Sequence, residues 1–300
     1  MKEKINLLML TLMAVLASVC VCSCGGDDEE EGGYSGPAVE VGENGIGSDG
    51  LKYSLDSNDK VATVVPNDYK LSNVNVPDKV RRGDVEYRVV ALAQDCFNEC
   101  TTLKTVKLSN TIVSLGISCF KYCENLESVN IPSSVSRIEK SCFKYCEHLT
   151  SIEIPASVTF IGDNCFKDCE SLKTIVIPSS LTTLEDCLFE GCASLTSVTI
   201  PSSIVSIGVG CFWNCENLQS LVIPSSVTSI GGQCFYGCKN LSKLTCQATI
   251  PPYVGTYYND GIVDLALSES CSIYVPKSAL PSYKSAEGWN KYSNYFAIEN

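Results

Sequence analysis

The sequence predicts a solenoid: an α/β-type or mainly β right-handed coil of short parallel strands, with seven 23-residue repeats between an N-terminal and a C-terminal cap. Three columns of recurring residues carry that prediction. Phe97, Phe120, Phe143, Phe166, Phe189, Phe212 and Phe235 recur every 23 residues, and Cys100, Cys123, Cys146, Cys169, Cys192, Cys215 and Cys238 keep the same interval. Leu103, Leu126, Leu149, Leu172, Leu195, Leu218 and Leu241 follow those cysteines by three, and Pro132, Pro155, Pro178, Pro201 and Pro224 close the apolar run in the middle repeats. A fixed period of about 20 to 29 residues around an L-x-x-V/I-x-I core marks units too small to bury an apolar face alone, so each covers its neighbours.

Composition narrows the function first. The chain has 300 residues, 45% hydrophobic and 19% charged, which is enough for a core and excludes bulk disorder. A net charge of −12 removes the counterion-release drive for nucleic-acid binding. One histidine, His148, leaves little room for Ser-His-Asp, Cys-His or His-ligated metal chemistry. The chain carries no phosphate-cradling glycine loop, no G-x-S-x-G and no H-E-x-x-H. Residues 56–60 come nearest to a calcium loop but lack its central glycine and terminal glutamate, so they read as a turn. The expectation is a protein that is not an enzyme and carries no cofactor or metal.

In chain order, residues 1–23 come first: Lys2 and Lys4, an apolar run over 5–21, then small residues. That is the layout of a secretory signal, too short to span a bilayer comfortably. Its end resembles a bacterial lipobox, with Val21 at minus three and Ser23 at minus one around Cys24. The resemblance implies that Cys24 is lipidated and that the protein meets the membrane through an acyl anchor only. Residues 24–47 read as a flexible acidic tether, with acids at 27–31 between glycine pairs. An acidic cluster there resembles the surface-export signal of lipoproteins in Gram-negative gut and oral anaerobes. It implies an outer membrane lipoprotein facing outward.

Residues 48–92 form the N-terminal cap and lead-in, 93–246 the repeats, and 247–300 the C-terminal cap. Within one repeat, Val129 and Ile131 alternate with Ser128 and Asn130 as a half-buried strand requires. Pro132 lacks an N–H and stops the ladder, Ser133 and Ser134 turn the chain, and residues 135–138 form a second extended piece. A corner follows, with glycine in several coils (Gly116, Gly162, Gly208, Gly231), and residues 142–146 are expected to complete the coil as a helical turn with Phe143 inward. At about 4.8 Å per coil, seven units make a parallel sheet roughly 35 Å long.

These repeats resemble the BspA-like leucine-rich repeats of bacterial surface lipoproteins, whose units run roughly A-F-x-x-C-x-x-L-x-x-I-x-I-P. The resemblance covers about residues 50–300, including a lead-in at 83–92 and a closing cap around Ser272, Tyr283 and Trp289. It implies a leucine-rich repeat fold and adhesion to host matrix or to other cells. The departure is a cysteine before most corner phenylalanines (96, 119, 142, 165, 211 and 234), where the family more often has alanine. A metal site is the weakest explanation of these columns, because four convergent ligands are missing. Disulfides suit an exported chain but not the geometry of parallel Cβ vectors. A buried column of small apolar thiols fits best, since Leu188 takes the position in one coil with Cys187 displaced by one. The pairing of Cys246 and Cys271 stays open.

The outward strand positions are Thr105, Lys107, Ser128, Asn130, Ser151, Glu153, Thr174, Val176, Ser197, Thr199, Ser220, Val222, Lys243 and Thr245. They read either as a hydrogen-bonding surface for a protein or glycan ligand outside the cell, or as ordinary solvent-face strand residues. Corner aromatics, Tyr122, Tyr145, Trp213 and Tyr236, read as a run that contacts a partner or as packing between coils. His148 is expected to be a solvated substitution. Taken together these features predict a monomer that binds no nucleic acid and recognises macromolecules at the cell surface. The alternative is glycan or glycoprotein capture for an outer-membrane uptake system.

Overall fold

The computed structural model describes residues 38–256 and 264–298. The export segment, Cys24 and tether residues 24–37 lie outside the described residues. The rest of the expected tether does not behave as one. Val39–Glu40 pairs in parallel with Val80 and Arg81, and Val41 is buried. The cap therefore includes residues 39–47, because Val39 and Val41 supply apolar side chains that an all-polar tether would lack. Next comes an antiparallel hairpin, Tyr53–Asp56 with Val61–Val64, whose turn is the acidic stretch read above. There the Asp56 carboxylate accepts from the Asn58 N–H at 2.8 Å and the Asp59 N–H at 3.3 Å.

Beyond the cap, short strands of successive coils lie side by side in parallel. The first ladder runs through Asn73–Asn75, Thr105–Lys107, Ser128–Asn130, Ser151–Ile152, Thr174–Val176, Ser197–Thr199, Ser220–Ile223, Lys243–Cys246, Ser272–Val275 and Phe296–Ile298. It falls into three hydrogen-bonded groups, and within the repeats its register is one period, Thr105 opposite Ser128 and Thr174 opposite Ser197. Val129, Ile152, Ile175 and Val198 point inward and are buried. The second ladder follows the proline turn: Ser114–Leu115, Arg137–Ile138 and Phe160–Ile161 continue from Val85–Leu92, and a second group runs from Thr183–Leu184 to Tyr253–Val254.

The corner differs from the expected helical turn. Ser141, Phe143 and Tyr145 donate their N–H groups forward to the carbonyls of Asp163, Cys165 and Lys167 at 2.9 Å each, so the corner is a third ladder. A helix would consume those donors internally. The chain keeps them free by placing two left-handed residues four apart in every corner. Ser141 (φ 58°) and Tyr145 (φ 62°) are one such pair, and Asp95 with Glu99, Ser118 with Tyr122, and Asn164 with Asp168 are others. A left-handed non-glycine residue costs about 1–2 kcal/mol, so the stacking bonds have to outweigh a repeated strain. The glycines that open the corner, Gly116, Gly162, Gly208 and Gly231, answer to crowding and not to φ. A Cβ on Gly231 would stand 2.2 Å from the Val209 nitrogen, and one on Gly116 would stand 2.5 Å from the Ala93 carbonyl carbon.

Inside, the phenylalanines stack coil upon coil, with ring centroids from 5.3 Å (Phe120 and Phe143) to 6.0 Å (Phe212 and Phe235). Tyr69 begins the column at 5.1 Å from Phe97. The 16 described cysteines are all buried, and none of them is in a disulfide. Those of the second column do more than fill space: the thiols of Cys123, Cys146, Cys169, Cys192 and Cys215 donate to the carbonyls of Phe97, Phe120, Phe143, Phe166 and Phe189 at 3.1–3.2 Å. Each carbonyl also receives the N–H of the cysteine three residues on, as Phe143 does from Cys146 at 3.1 Å. In the first column Leu188 is buried where the other coils place cysteine, and Cys187 beside it takes a left-handed corner position (φ 54°). Burial pushes the Cys119, Cys142, Cys165 and Cys211 thiols well above the ordinary range. Cys246 and Cys271 are both buried and unbridged. The closing cap uses a short helix, Leu280–Ser285, and buries Tyr283 and Trp289. The Tyr283 hydroxyl donates to the Ala248 carbonyl at 3.0 Å, and the Trp289 indole to the Pro252 carbonyl at 2.8 Å.

Candidate functional site

The period of two along each strand sends alternate side chains out of the first ladder. Strands of only two to four residues leave two such positions per coil, and stacking turns them into two columns. Near the N-terminal end the surface sinks into a shallow depression of about 560 Å³, lined by Thr105, Lys107, Ser128, Asn130, Ser151 and Glu153 with the edges of the inward residues between them. The structure thus brings together six of the expected ligand-binding residues. Thr174, Ser197, Thr199 and Ser220 continue the same columns and are exposed.

The side chains in the depression are not equally available. Asn130 clamps the preceding coil: its Oδ1 accepts from the Leu108 N–H at 2.7 Å and its Nδ2 donates to the Leu108 carbonyl at 3.3 Å. The Thr105 hydroxyl donates to Asn73 Oδ1 at 2.6 Å and is half-buried. The side chains of Lys107 and Glu153, by contrast, enter no hydrogen bond or ion pair with any described residue. That separates them from Lys104–Glu127 at 3.6 Å, Lys140–Asp163 at 3.4 Å and Lys167–Glu190 at 2.6 Å, which pair across neighbouring coils. An unpaired cation and anion stand over a floor of hydroxyls.

At the other end the expectation needs two corrections. Thr245 is buried, at 3% exposure, because the cap strand lies beside it with Tyr274 in register. Lys243 lays its ammonium over the Tyr274 ring, 4.7 Å from the centroid, so it is partly engaged.

The corner aromatics do not form one run. Tyr122 and Tyr145 stack in parallel at 4.5 Å, each under its own neighbouring lysine, Lys121 at 4.9 Å and Lys144 at 5.0 Å. Trp213 and Tyr236 form a second pair at 4.5 Å, tilted by 41°. Between the pairs stand the Lys167–Glu190 ion pair and Asp168. The reason is register: the tyrosines of the first pair sit on left-handed positions, whereas Trp213 and Tyr236 occupy the column before, which Lys121, Lys144 and Lys167 fill elsewhere. Burial, then the nearby Lys167 and Lys121, lowers the Lys144 pKa. Burial, then Glu170 and Glu124, raises that of Glu147. His148 is exposed, yet its Nδ1 lies 2.8 Å from the Glu124 carbonyl, where it acts as a link between coils.

Sequence reasoning missed the clamp of Asn130 and the split between the two aromatic pairs. The repeat alignment contains the second, because Tyr122 and Trp213 differ by one place within their repeats. Among the described residues no cluster of three or more His, Cys, Asp or Glu is arranged to hold a metal ion. No described helix is long and apolar enough to cross a membrane.

A family model described as BspA type leucine rich repeat region matches residues 67–192 and 136–258, in six copies. Among solved structures the chain is similar to a leucine-rich repeat protein from Bacteroides ovatus, at 24% identity over 75% of this chain and 69% of that one, with a TM-score of 0.48. A leucine-rich repeat protein of T. pallidum matches at 25% identity over 56% of this chain and 87% of the other, with a TM-score of 0.47. A leucine rich cell surface protein from Faecalibacterium prausnitzii matches at 18% identity over 89% and 96%, with a TM-score of 0.26. No curated protein matches the chain.

Proposed function

The chain belongs to the BspA type leucine-rich repeat family, and on that premise we propose that it is an outward-facing lipoprotein of a Gram-negative outer membrane whose strand face binds a macromolecule. The anchor is an acyl group on Cys24, followed by the acidic residues 27–31. The protein works as a monomer, without cofactor or catalysis, in adhesion to host matrix or to other cells. One observation carries the binding part: Lys107 and Glu153 stand unpaired in an open depression while several charges elsewhere pair between coils. Binding without chemistry suits this surface, which offers hydroxyls and two isolated charges but no nucleophile beside a base.

A second reading, glycan capture for a nutrient-uptake system, has its own support in Trp213 and Tyr236, because Tyr236 is half-exposed beside the indole. Two experiments test the proposal in intact cells. Metabolic labelling with a palmitate analogue should mark the wild-type chain and not Cys24→Ser, and external protease should remove the repeats from whole cells. Saturable binding to a panel of matrix proteins should weaken at least tenfold in Lys107→Glu. Binding confined to a glycan array and lost in Trp213→Ala would move the assignment to the second reading.

A further inference from the structure

The outer column of the first ladder has an order that the hydroxyl column beside it lacks. Along the stack it runs Lys107, Asn130, Glu153, Val176, Thr199, Val222, with Lys107 opposite Asn130 and Val176 opposite Thr199 in the strand register. Asn130 is committed to the backbone of Leu108, which leaves it as floor. Lys107 and Glu153 stand two strands apart, about 10 Å, which is beyond ion-pair range. Past them the surface turns aliphatic: Val176 is 74% exposed and Val222 is 46% exposed, with the Thr199 methyl between them. None of these six positions carries an aromatic ring, so the column has no flat platform on which a sugar could stack.

We propose that this column is a docking track for an extended polypeptide segment lying along the solenoid axis, which offers an anionic side chain to Lys107, a cationic one to Glu153 and aliphatic ones to Val176 and Val222. The inference rests on the strand face being the binding face, as proposed above, and it names the class of partner. Charge complementarity fixes the order of the contacts, and the spacing fixes the conformation. A fully extended β-strand places residues three apart on opposite faces. A polyproline II segment turns once every three residues and rises about 9.3 Å in doing so, which matches two coils. Residues three apart then face Lys107 and Glu153 together, and aliphatic residues beyond the second contact Val176 and Val222. A chain in that conformation also loses little conformational freedom on docking.

The test is a phage library of random linear dodecapeptides selected on the full-length chain, beside a glycan array probed with the same preparation. Selected peptides should carry an acidic residue and a basic residue three apart, with aliphatic residues beyond the basic one. The double variant Lys107→Glu with Glu153→Lys should select the two charges in reversed order, and Val176→Asp should lower the recovery of wild-type peptides at least tenfold. Circular dichroism of both variants should match the wild type, because all three positions point to solvent. Peptides without that charge spacing, or the same peptides recovered on the double variant, would overturn the proposal. Failure to select any peptide would overturn it as well. If the chain then bound a glycan, the surface-binding reading would survive alone, and a chain that bound neither peptide, glycan nor matrix protein would remove both.

Discussion

Each coil meets its neighbours twice over, at the strand ladders and at the corner, and the two sides solve stacking by different means. The strand side uses ordinary parallel pairing, which constrains only the inward residue, so the outward columns are free to vary from Lys107 to Glu153 to Val176. The corner has no such freedom: a buried ring, two cysteine columns and two left-handed positions recur in nearly every coil. Identity at the corner therefore reports on architecture, and variety on the strand face is where recognition can reside. Four measurements separate the two sides.

The largest effect should come from alkali. Most of the buried corner thiols, and that of Cys271 in the cap, have raised pKa values, about 12 for Cys238 and about 11 for Cys271, with burial the leading cause in both. A folded chain thus keeps protons that the unfolded chain releases near pH 8.5. The stabilisation is fully present below that value and is lost as pH rises toward the folded values, by about 1.4 kcal/mol per pH unit for each thiol. With many such thiols the urea midpoint should fall steeply between pH 8 and 10, to the point of complete unfolding. A flat profile would mean that the thiols are not held protonated in the core.

Next in size is Phe143→Ala, expected to cost about 3–5 kcal/mol by urea denaturation, because the ring sits between two others and cannot be replaced by collapse. Cys169 offers a sharper comparison. If its thiol acts as a donor to Phe143, Cys169→Ser should be tolerated better than Cys169→Ala, with Ala costing about 1–2 kcal/mol. If the position is an apolar filler alone, the ranking reverses. Smallest is Ser151→Ala on the strand face, expected within about 0.5 kcal/mol of wild type.

Much of this architecture was legible in the sequence. The 23-residue columns define the coil, Val129 and Ile131 identify the inward face, and the Leu188 substitution argues for buried free thiols as the structure has them. Other features were not legible, for identifiable reasons. A corner with two left-handed residues four apart has no propensity signature when Ser, Asn, Asp, Tyr, Cys and Gly all occupy those sites, so residues 142–146 resemble a helical turn. Thr245 reads as outward by strand period, and only the cap strand, about 30 residues further on, covers it. Val39 and Glu40 pair with a strand some 40 residues away, which no local pattern announces. In the candidate site, charge and position were readable, while the commitment of Asn130 to Leu108 depends on a neighbouring coil's backbone.

The corner amides that bond between coils point toward the C-terminal end, and at the last full corner the N–H groups of Gln233 and Phe235 find the carbonyls of Asp264 and Leu265 at 2.5 and 3.0 Å. The stack is therefore directional, with a donor end and an acceptor end, and the closing cap is its complementary socket. A spliced-in coil of 23 residues would present the same donors to the same socket and leave the cap satisfied. A polypeptide cut after residue 246 would leave those donors unanswered, along with an uncovered ring from Phe235. Growth by whole layers is the natural route by which such a molecule lengthens, and the end that receives each new layer is set by the handedness of a few backbone torsions.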